Sequence, residues 1–547
     1  MYKIFENNTL SIIIYILIVI IYILIMIFSI LKYIHIFQLN NYNLDQQLIW
    51  YKKHKKIFIP NILLLGTILY SIVYNIRNHM FTYIVIILIL TLLIINFPKK
   101  QKKKLVFTNR IKRLIIICNI LFLIFLFPAF ANKNIVESYL LVEIALTPLI
   151  IFISILISLP IENNIRQRFI SEASDIINKN DNLYVIGITG SFGKTSVKYY
   201  LNSILRSKYS VCMTPESYNT PMGATLTIKN ELKNIDDIFI CEMGARRIGD
   251  IKEICDIVNP MGGIITDVGN MHLDTFKNIE NVAKTKFELF DSIINNMNKN
   301  SKFDNGIILL NGDNQIIREK ARDNKEKNGY NGKLVYYYGI NKDNDFYATD
   351  ITMSDKGSKF KLVYNVDKLN NKEIIFETKL LGIYNTMNLV AAIAYGILLN
   401  VDVQSIVETV KRIEPVEHRL HLLKYDANTI LIDDAYNSNL SGAKNASDVI
   451  SKFDGYTKII ITPGMVELGN KQYDLNREFA EYAGKLVDYA IVVGKTNKTS
   501  LWEGFNKCLF GDNLIYVDKV EVAISYALNN ISGKKVILLE NDLSDNY

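Results

Sequence analysis

The sequence predicts an α-helical membrane domain followed by α/β domains, and three observations support that prediction. Long uncharged apolar runs fill the N-terminal third of the 547-residue chain, and the mean hydropathy of the whole is +0.15. Beyond residue 180, short apolar strands alternate with helical patterns, as in parallel α/β sheets. A glycine-rich turn separates the first of these strands from a helix, which is typical of a phosphate-binding loop.

Composition excludes several other classes of protein. The 32 tyrosines and 26 phenylalanines leave too much apolar surface for a disordered chain. The five scattered cysteines form no CxxC pair, so neither a disulfide scaffold nor a structural zinc site is indicated. The net charge of +8 does not indicate nucleic-acid binding, because the lysine runs flank apolar segments.

Five apolar runs predict about five membrane spans and a transmembrane domain over residues 1–160. Leu10–Leu31 holds no charged side chain and is long enough to cross a hydrocarbon core of about 30 Å. It is too long for the apolar part of a signal peptide and lacks a small-residue cleavage site. The other runs are Ile57–Tyr74, Phe81–Phe97, Leu114–Phe130 and Tyr139–Leu159. The second and third could instead form a re-entrant pair around Asn75–Met80.

Basic residues between the spans predict the orientation. Those between the first two spans and between the third and fourth are Lys52, Lys53, Lys55, Lys56, Lys99, Lys100, Lys102, Lys103, Lys104, Arg110, Lys112 and Arg113. The other two loops carry only Arg77 and Lys133. The positive-inside rule therefore predicts a multi-pass plasma-membrane protein with its N-terminus outside and its catalytic domains in the cytoplasm. Lys99–Lys104 could also contact anionic membrane lipids.

A carboxylate, Glu143, lies inside the fifth predicted span. At membrane depth such a group usually has a partner or a function. A position near the interface, where water reaches it, is an equal alternative.

After the membrane domain the chain predicts a connector helix over residues 161–182, because apolar residues recur there at helical spacing. Short strands follow at Tyr184–Ile188, Asp237–Cys241, Gly263–Thr266, Gly306–Leu310 and Thr429–Ile432, and a helix is predicted at Val197–Arg206.

The first strand leads into a candidate phosphate loop, TGSFGKTS. Its glycines allow backbone N–H groups to converge on phosphate oxygens at the start of a helix. Lys194 could neutralise charge near the β- and γ-phosphates, and the hydroxyl of Thr195 or Ser196 could reach Mg²⁺. The general P-loop pattern places glycine where this chain has Ile188.

Further motifs extend this loop into a family resemblance. ITGSFGKTSVK resembles the nucleotide loop of Mur ligases, most closely the MurF type. In family order there follow CEMGARRIGDI, ITDVGNMHLDTF, VAKTKFELF, LLNGDN, LLGIYNTMNLVAA, HRLHLL, LIDDAYNSN and TPGMVELG. The resemblance implies a P-loop central ATP-binding domain over residues 183–410 and a Rossmann-like C-terminal ligase domain over 411–547.

The resemblance also implies ATP-dependent amide formation with ATP and Mg²⁺ as cofactors. A carboxylate attacks the γ-phosphate to give an acyl phosphate, and an amine then displaces phosphate, with metal ions and cations neutralising charge. It implies catalytic roles for Lys194, His272, Lys286 and Arg419, and metal binding by Thr195, Glu242, His272 and Lys286. The nucleotide-binding residues that it implies are Thr189, Gly190, Ser191, Gly193, Lys194, Thr195, Ser196, Asn385, Asn388, Arg419 and Asp434.

Several of these assignments come with alternatives or departures. Lys286 matches a carbamylated lysine that acts as a carboxylate-like ligand, and Lys284 is the surface alternative. The asparagines match the adenine side. Asp434 matches the carboxylate on the ribose, with Tyr436, Asn437 and Asn439 beside it and Asp433 as a substitute. Phe287, Tyr384 and His418 replace the usual glycine, histidine and glycine of the family.

Two larger departures concern substrate recognition. The N-terminal domain that holds the UDP-sugar in MurF enzymes is replaced by membrane spans, and the usual C-terminal ending is replaced by LLENDLSDNY. The predicted protein is a membrane-tethered ligase that joins an amino acid or dipeptide, such as D-Ala-D-Ala, to a UDP-linked or lipid-linked cell-wall peptide precursor. The alternatives are a ligase of the poly-glutamate or folate type and an ATPase subunit of a membrane transporter. Against transport stands the lack of an LSGGQ signature.

Overall fold

The structure is a computed structural model in two compact units, Met1–Gln167 and Arg168–Tyr547. The residues it describes are 8–40, 42–74, 79–97, 104–131, 136–216, 218–299, 306–328, 335–354, 357–366, 369–435 and 439–541.

The first unit consists of helices around an apolar core. They are α1 (Asn8–Leu39), α2 (Leu44–Lys53), α3 (Ile59–Tyr74), α4 (His79–Asn96), α5 (Asn109–Ala131) and α6 (Val136–Lys179), whose last turns belong to the second unit. Large apolar side chains also point outward: Ile94 is 71% exposed and Phe127 is 74% exposed. Several such side chains on neighbouring helices form the kind of surface that soluble proteins rarely show.

The prediction of about five membrane spans is not supported. Among the described residues, two helices are long and apolar enough to cross a membrane, Ile20–Leu39 and Tyr139–Lys179, and core helices of soluble proteins pass the same test. Helix α3 has 16 residues, or about 24 Å of helix, and the apolar part of α4, Ile84–Asn96, is shorter still. Helix α5 begins with three basic residues, which shortens its apolar part. The prediction of an external N-terminus depended on an odd number of spans. It is therefore no longer supported.

The connector helix and the loops between the predicted spans also belong to this region. The connector helix predicted over residues 161–182 is helical to Lys179, but it is not a separate element, because α6 runs from Val136 across Pro148 and Pro160 without a break. Most of the predicted basic loop, Lys99–Lys103, lies outside the described residues, as do residues 75–78 of the predicted re-entrant turn and Lys133.

The buried Glu143 has a partner within the first unit. The Tyr22 hydroxyl donates to Glu143 Oε2 at 2.8 Å, and the carboxylate is 3% exposed. Of the two alternatives for this residue, the one with a partner is therefore the one observed, and the hydrated position is not.

The second unit begins with a nine-stranded sheet, ordered β2-β3-β1-β4-β5-β6-β7-β8-β9. Its strands are β1 (Tyr184–Thr189), β2 (Val211–Met213), β3 (Ile238–Glu242), β4 (Gly262–Ile265), β5 (Ile308–Asn311), β6 (Val335–Gly339), β7 (Phe346–Ser354), β8 (Gly357–Val366) and β9 (Leu369–Thr378). Its helices are α7 (Lys194–Leu205), α8 (Pro221–Asn230), α9 (Asp250–Val258), α10 (Leu273–Phe276), α11 (Ile279–Lys299), α12 (Gln315–Asn328), α13 (Ile383–Leu398) and α14 (Val403–Arg412).

The four strands predicted for this sheet match β1, β3, β4 and β5 to within two residues at each end, whereas the parallel strands β2 and β6 were not predicted. Both faces of β1, β3, β4 and β5 are buried, which explains their nearly continuous apolar sequences. The antiparallel strands β7, β8 and β9 were not predicted. Their sequences mix polar or charged residues with apolar ones, which is the pattern of strands with one exposed face.

A six-stranded sheet follows, ordered β10-β11-β15-β12-β13-β14. Its strands are β10 (His421–Lys424), β11 (Thr429–Asp434), β12 (Thr457–Thr462), β13 (Tyr489–Val493), β14 (Leu514–Val517) and β15 (Lys535–Glu540), and its helices are α15 (Leu440–Ser451), α16 (Gln472–Gly484), α17 (Lys498–Phe505) and α18 (Val520–Asn529). All neighbouring strands except β10 and β11 pair in parallel. The α/β prediction is thereby confirmed for both sheets.

Candidate active site

The candidate site lies where β1 ends between its neighbours. Strand β1 pairs in parallel with β3 on one side and β4 on the other, with Ile188 opposite Glu242 and Thr189 opposite Ile265. The carboxyl ends of the three strands therefore meet at one edge, where the chain changes direction across the sheet. Ligands of open α/β sheets bind at such edges.

The turn after β1 packs too closely for any residue other than glycine at its start. A Cβ on Gly190 would lie 2.0 Å from Thr266 Oγ1 and 2.8 Å from the backbone nitrogen of Asp267. Ser191 N–H donates to the Asp267 carbonyl at 2.8 Å, and Gly269 N–H donates to Ser191 Oγ at 2.9 Å. The segment after β4 thus fixes the phosphate loop.

Lys194 folds back over this loop. Its Nζ donates to the carbonyl oxygens of Gly190 at 2.9 Å and Ser191 at 3.3 Å. Burial lowers the pKa of Lys194, an effect that the charges of Glu242 and Asp267 oppose. An ammonium held in this way by two carbonyls is available to an incoming phosphate, which is a stronger acceptor.

Glu242 at the end of β3 contacts α7 and the segment that precedes α8. Its Oε1 accepts from Thr195 Oγ1 at 3.1 Å and from Asn219 Nδ2 at 3.2 Å. Its Oε2 lies 3.1 Å from Lys198 Nζ, and both side chains are buried, with exposures of 1% and 0%. Lys198 also donates to the Glu216 carbonyl oxygen.

Sequence reasoning missed Lys198 and Asn219. Lys198 is four residues after Lys194 in the motif KTSVK, and residues at that spacing share one face of a helix. That spacing was a usable signal. No sequence pattern indicated Asn219, since it lies in a loop far from the other site residues in sequence.

The side chains around Glu242 fit a magnesium ion. A hydroxyl and a carboxylate oxygen meet at 3.1 Å beside the phosphate loop, and Mg²⁺ prefers oxygen ligands from one or two carboxylates together with substrate phosphates. Within the described part of the chain no group of three His, Cys, Asp or Glu side chains could hold a metal by itself. Ser196 is buried and hydrogen-bonds to Tyr200, so Thr195 is the hydroxyl that faces Glu242.

His272 occupies a turn of left-handed backbone, with φ of 50°, just before α10. Its Nδ1 contacts Glu467 Oε2, and Arg246 Nη2 lies 3.3 Å from the other oxygen of that carboxylate. Glu467 belongs to the motif TPGMVELG, which was quoted in the sequence without assigning this residue a role. A carboxylate 195 residues away in sequence and in the next domain cannot be paired with a histidine by spacing alone.

Lys286 lies buried on α11, with 3% of its side chain exposed. Burial, followed by the positive charge of Lys194, lowers its pKa to about 7. A lysine with that pKa is largely a neutral amine near physiological pH, and a neutral amine is the form that reacts with CO₂. The alternative, Lys284, is exposed and has no such environment.

The predicted adenine-side asparagines lie at the start of α13. Asn385 accepts from Tyr200 OH at 3.1 Å and donates to the Leu381 carbonyl at 2.9 Å, so its amide already has both partners. Asn388 lies against the loop, because a Cβ on Gly193 would come within 2.4 Å of its Oδ1. Thr189 donates its hydroxyl to the Met243 carbonyl at 3.0 Å. Of the two asparagines, Asn388 is therefore the one whose side chain lies beside the phosphate loop.

The second sheet also contributes to the candidate site, through Arg419 just before β10 and Asp434 at the end of β11. The charge of Arg419 contributes to the lowered pKa of Lys194, so two cations from different sheets converge. Burial raises the pKa of Asp434 to about 6, and Arg419 opposes the rise. Asp433 instead pairs with His418 Nδ1 at 2.7 Å. Tyr436 and Asn437 lie outside the described residues.

Comparison with known proteins identifies this combination of domains. The model of the Mur ligase middle domain matches residues 188–396, and that of the Mur ligase glutamate ligase domain matches residues 418–540. UDP-N-acetylmuramoyl-tripeptide–D-alanyl-D-alanine ligase of Bacillus subtilis is 28% identical over 65% of this chain and 72% of its own length. The enzyme of the same name from Buchnera aphidicola is 30% identical over 53% of this chain and 58% of its own length.

A solved structure shares the fold. MurF from Acinetobacter baumannii superposes with a TM-score of 0.60 and 22% identity, covering 70% of this chain and 78% of that one. At that identity the likeness supports the fold alone.

The Mur ligase domain matches and the similar MurF enzymes identify an ATP-dependent, ADP-forming ligase that uses ATP with Mg²⁺. The two matched domains together cover more than half of the chain. The chain therefore belongs to the Mur ligase family, and the alternative of a transporter ATPase subunit receives no support.

Proposed function

We propose that this protein is a membrane-tethered, MurF-like amide ligase whose active site faces the cytoplasm. It joins an amino acid or dipeptide, such as D-Ala-D-Ala, to the carboxylate of a cell-wall peptide precursor. The observation that carries the proposal is the convergence of Lys194 and Arg419, one from each sheet, beside Glu242 and Thr195. A site of this composition is suited to phosphoryl transfer, in which charge stabilisation is most of the catalysis.

Each residue of the site has a role in this reaction. Lys194 and Arg419 bind phosphate oxygens and neutralise the charge that develops as the substrate carboxylate is phosphorylated. Thr195, Glu242, His272 and Lys286 hold the magnesium ions, which polarise phosphoryl and acyl oxygens when bound. Asn388 and Asp434 orient the nucleotide, and the amine then displaces phosphate from the acyl phosphate.

The acceptor is proposed from the relatives. The printed name of the Bacillus subtilis relative describes addition of D-alanyl-D-alanine to a UDP-N-acetylmuramoyl-tripeptide, so a UDP-linked muropeptide is the favoured acceptor. The match to the Mur ligase middle domain begins at residue 188, and we infer that the first unit takes the place of the part of a MurF enzyme that holds the UDP-sugar. A lipid-linked precursor is therefore the alternative. Both acceptors present the same peptide carboxylate.

Membrane attachment is supported by the two apolar helices Ile20–Leu39 and Tyr139–Lys179 and by the outward-facing apolar residues of the first unit. Basic residues Lys52, Lys53, Lys55 and Lys56 lie in and after α2 and are suited to the anionic cytoplasmic surface. A plasma-membrane location with the ligase domains in the cytoplasm agrees with their need for ATP.

The test is product formation by the full-length protein in lipid vesicles. The protein is supplied with MgATP, D-Ala-D-Ala and either UDP-linked or lipid-linked tripeptide, and products are identified by mass. Formation of the extended peptide with one ADP per bond supports the proposal. Hydrolysis of ATP that requires neither the carboxylate nor the amine contradicts it.

The phosphate loop provides the matched control for that assay. Lys194→Ala should reduce product formation by at least about 10²-fold, because one charge-stabilising donor is lost from the transition state. Lys252→Ala removes an exposed lysine paired only with Asp256 on its own helix and should leave turnover unchanged. Near-normal turnover by Lys194→Ala would contradict the assignment of this loop.

A further inference from the structure

The contact between His272 and Glu467 joins the two ligase domains. Nδ1 of His272 contacts Glu467 Oε2, and both groups are largely buried, with side-chain exposures of 16% and 20%. His272 lies in the middle domain and Glu467 in the C-terminal one. Arg246, also of the middle domain, lies 3.3 Å from the second carboxylate oxygen.

The chemistry of the contact fixes the histidine tautomer. An ionised carboxylate only accepts hydrogen bonds, so the proton of a neutral imidazole must be on Nδ1. The lone pair is then on Nε2, which is the arrangement of a metal-binding histidine oriented by a carboxylate.

The backbone at both residues indicates that the contact is specifically maintained. His272 has φ of 50° and Glu467 has φ of 62°, a left-handed conformation that non-glycine residues seldom adopt. Observed strain of this kind is a pointer to function. Gly469, two residues after Glu467, lies against the turn that His272 begins, since a Cβ there would be 3.6 Å from the backbone nitrogen of Asp274.

We propose that Glu467 is a positioning residue that orients His272 for metal binding, so that the metal site is completed only when the C-terminal domain is docked. Arg246 holds Glu467 in place from the middle domain. The inference rests on the proposed metal role of His272. It adds that a residue of the C-terminal domain, which touches neither metal nor substrate, sets the affinity of that site.

The test measures metal binding apart from turnover. Mn²⁺ is titrated by electron paramagnetic resonance into the full-length protein in detergent with ADP present. Glu467→Ala should weaken Mn²⁺ binding by about tenfold, the usual effect of removing a carboxylate behind a metal-binding histidine. Glu467→Gln keeps an acceptor for Nδ1 and should lose less. ADP affinity without metal should be unchanged in both, which also shows that they are folded.

Two further variants separate this inference from the proposed function. His272→Ala should weaken Mn²⁺ binding at least as much, and His272→Ala combined with Glu467→Ala should be no worse than His272→Ala alone, because the two act as one unit. Normal Mn²⁺ binding by Glu467→Ala, with weak binding by His272→Ala, overturns the inference and leaves the proposed function intact. Normal binding by His272→Ala overturns the metal role itself.

The control is another ion pair close to the junction of the two domains. Glu414 pairs with Lys379, and both side chains are more than half exposed. Glu414→Gln should leave Mn²⁺ affinity unchanged. A loss equal to that of Glu467→Ala would show that any weakening of the junction suffices, and would overturn the specific role of Glu467.

Discussion

Lys198 and Glu242 form an ion pair that is almost completely removed from solvent. Removing two charges from water is unfavourable. Their attraction offsets the lost hydration only when their remaining hydrogen bonds are also made. Here Thr195 and Asn219 donate to Glu242, and the Glu216 carbonyl accepts from Lys198. The lysine is therefore the ion-pair partner of a buried carboxylate beside the phosphate loop.

Replacing Lys198 should leave the buried carboxylate of Glu242 without its ion-pair partner and so destabilise the fold. Lys198→Met should lower the free energy of unfolding by about 3–5 kcal/mol, because a buried charge is left without its partner. Lys198→Met combined with Glu242→Gln should recover much of the loss in thermal unfolding but remain inactive. A double variant no more stable than Lys198→Met would contradict the ion-pair explanation.

The buried environment of Lys286 predicts how activity depends on pH. Its pKa of about 7 means that the neutral amine predominates above that pH and the ammonium below it. Only the neutral amine can carry CO₂ as a carbamate. If the carbamate is required, activity at a fixed total bicarbonate concentration should therefore fall as the pH is lowered through about 7. Above that pH, removal of CO₂ should lower activity, and added bicarbonate should restore it.

Variants distinguish a carbamate from a simple cation at this position. Lys286→Ala should be inactive and partly rescued by acetate, whose carboxylate replaces the lost ligand, while Lys286→Arg should be inactive without rescue. Density beyond Nζ in a crystal of the ATP-bound protein would show the carbamate directly. A bare ammonium in such a crystal, or an active Lys286→Arg, would contradict the assignment.

At the scale of elements, the turn from β1 to α7 depends on the segment that follows β4. Gly190 is held against Thr266 and Asp267 so closely that a methyl group meets a side-chain atom at 2.0 Å and a backbone atom at 2.8 Å. The side chain can rotate away, but the backbone cannot do so without moving the loop after β4. The geometry of the phosphate loop is therefore set by two strands together.

Gly190→Ala should displace the loop and raise the KM for ATP, with a loss of stability of about 1–3 kcal/mol from overpacking. Equilibrium binding of ADP and thermal unfolding measure the two effects. Gly494→Ala is the control, because Gly494 has φ of 73° with open space around its Cβ position and so tests backbone strain without a clash. Unchanged ADP binding by Gly190→Ala would contradict the role given to this packing.

The elements around the site were predictable to the extent that they are local in sequence. The loop from Gly190 to Thr195 and the strand before Glu242 follow from short patterns of glycine, hydroxyl and apolar residues. The contacts of Asn219 and Glu467 could not be predicted, because they depend on how loops from separate strands meet. The continuity of α6 from the fifth predicted span into the connector was also missed, since Pro160 is a residue type that usually interrupts a helix.

At the scale of the whole molecule, charge patterns and apolar runs predicted the two kinds of unit but overestimated the spans. Helix α3 is apolar along its length yet shorter than a hydrocarbon core requires. Mean hydropathy counts apolar residues whether they face lipid or the interior of a bundle, and Ile68 and Leu64 on α3 are buried. Orientation toward a partner helix is not encoded in the sequence of one helix.

We expect the intact chain to be attached to the membrane by its apolar helices. After cell lysis the full-length protein should remain in the membrane pellet through an alkaline carbonate wash, which removes proteins held only by charge, because apolar helices stay in the bilayer. A fluorescent protein fused to the C-terminal end should fluoresce, whereas alkaline phosphatase at the same place should be inactive, since the ligase domains need ATP and ATP is confined to the cytoplasm. Release by carbonate would show that the outward-facing apolar residues of the first unit bind protein and not lipid. Active phosphatase would place the phosphate loop on the side without ATP and would contradict the proposed orientation.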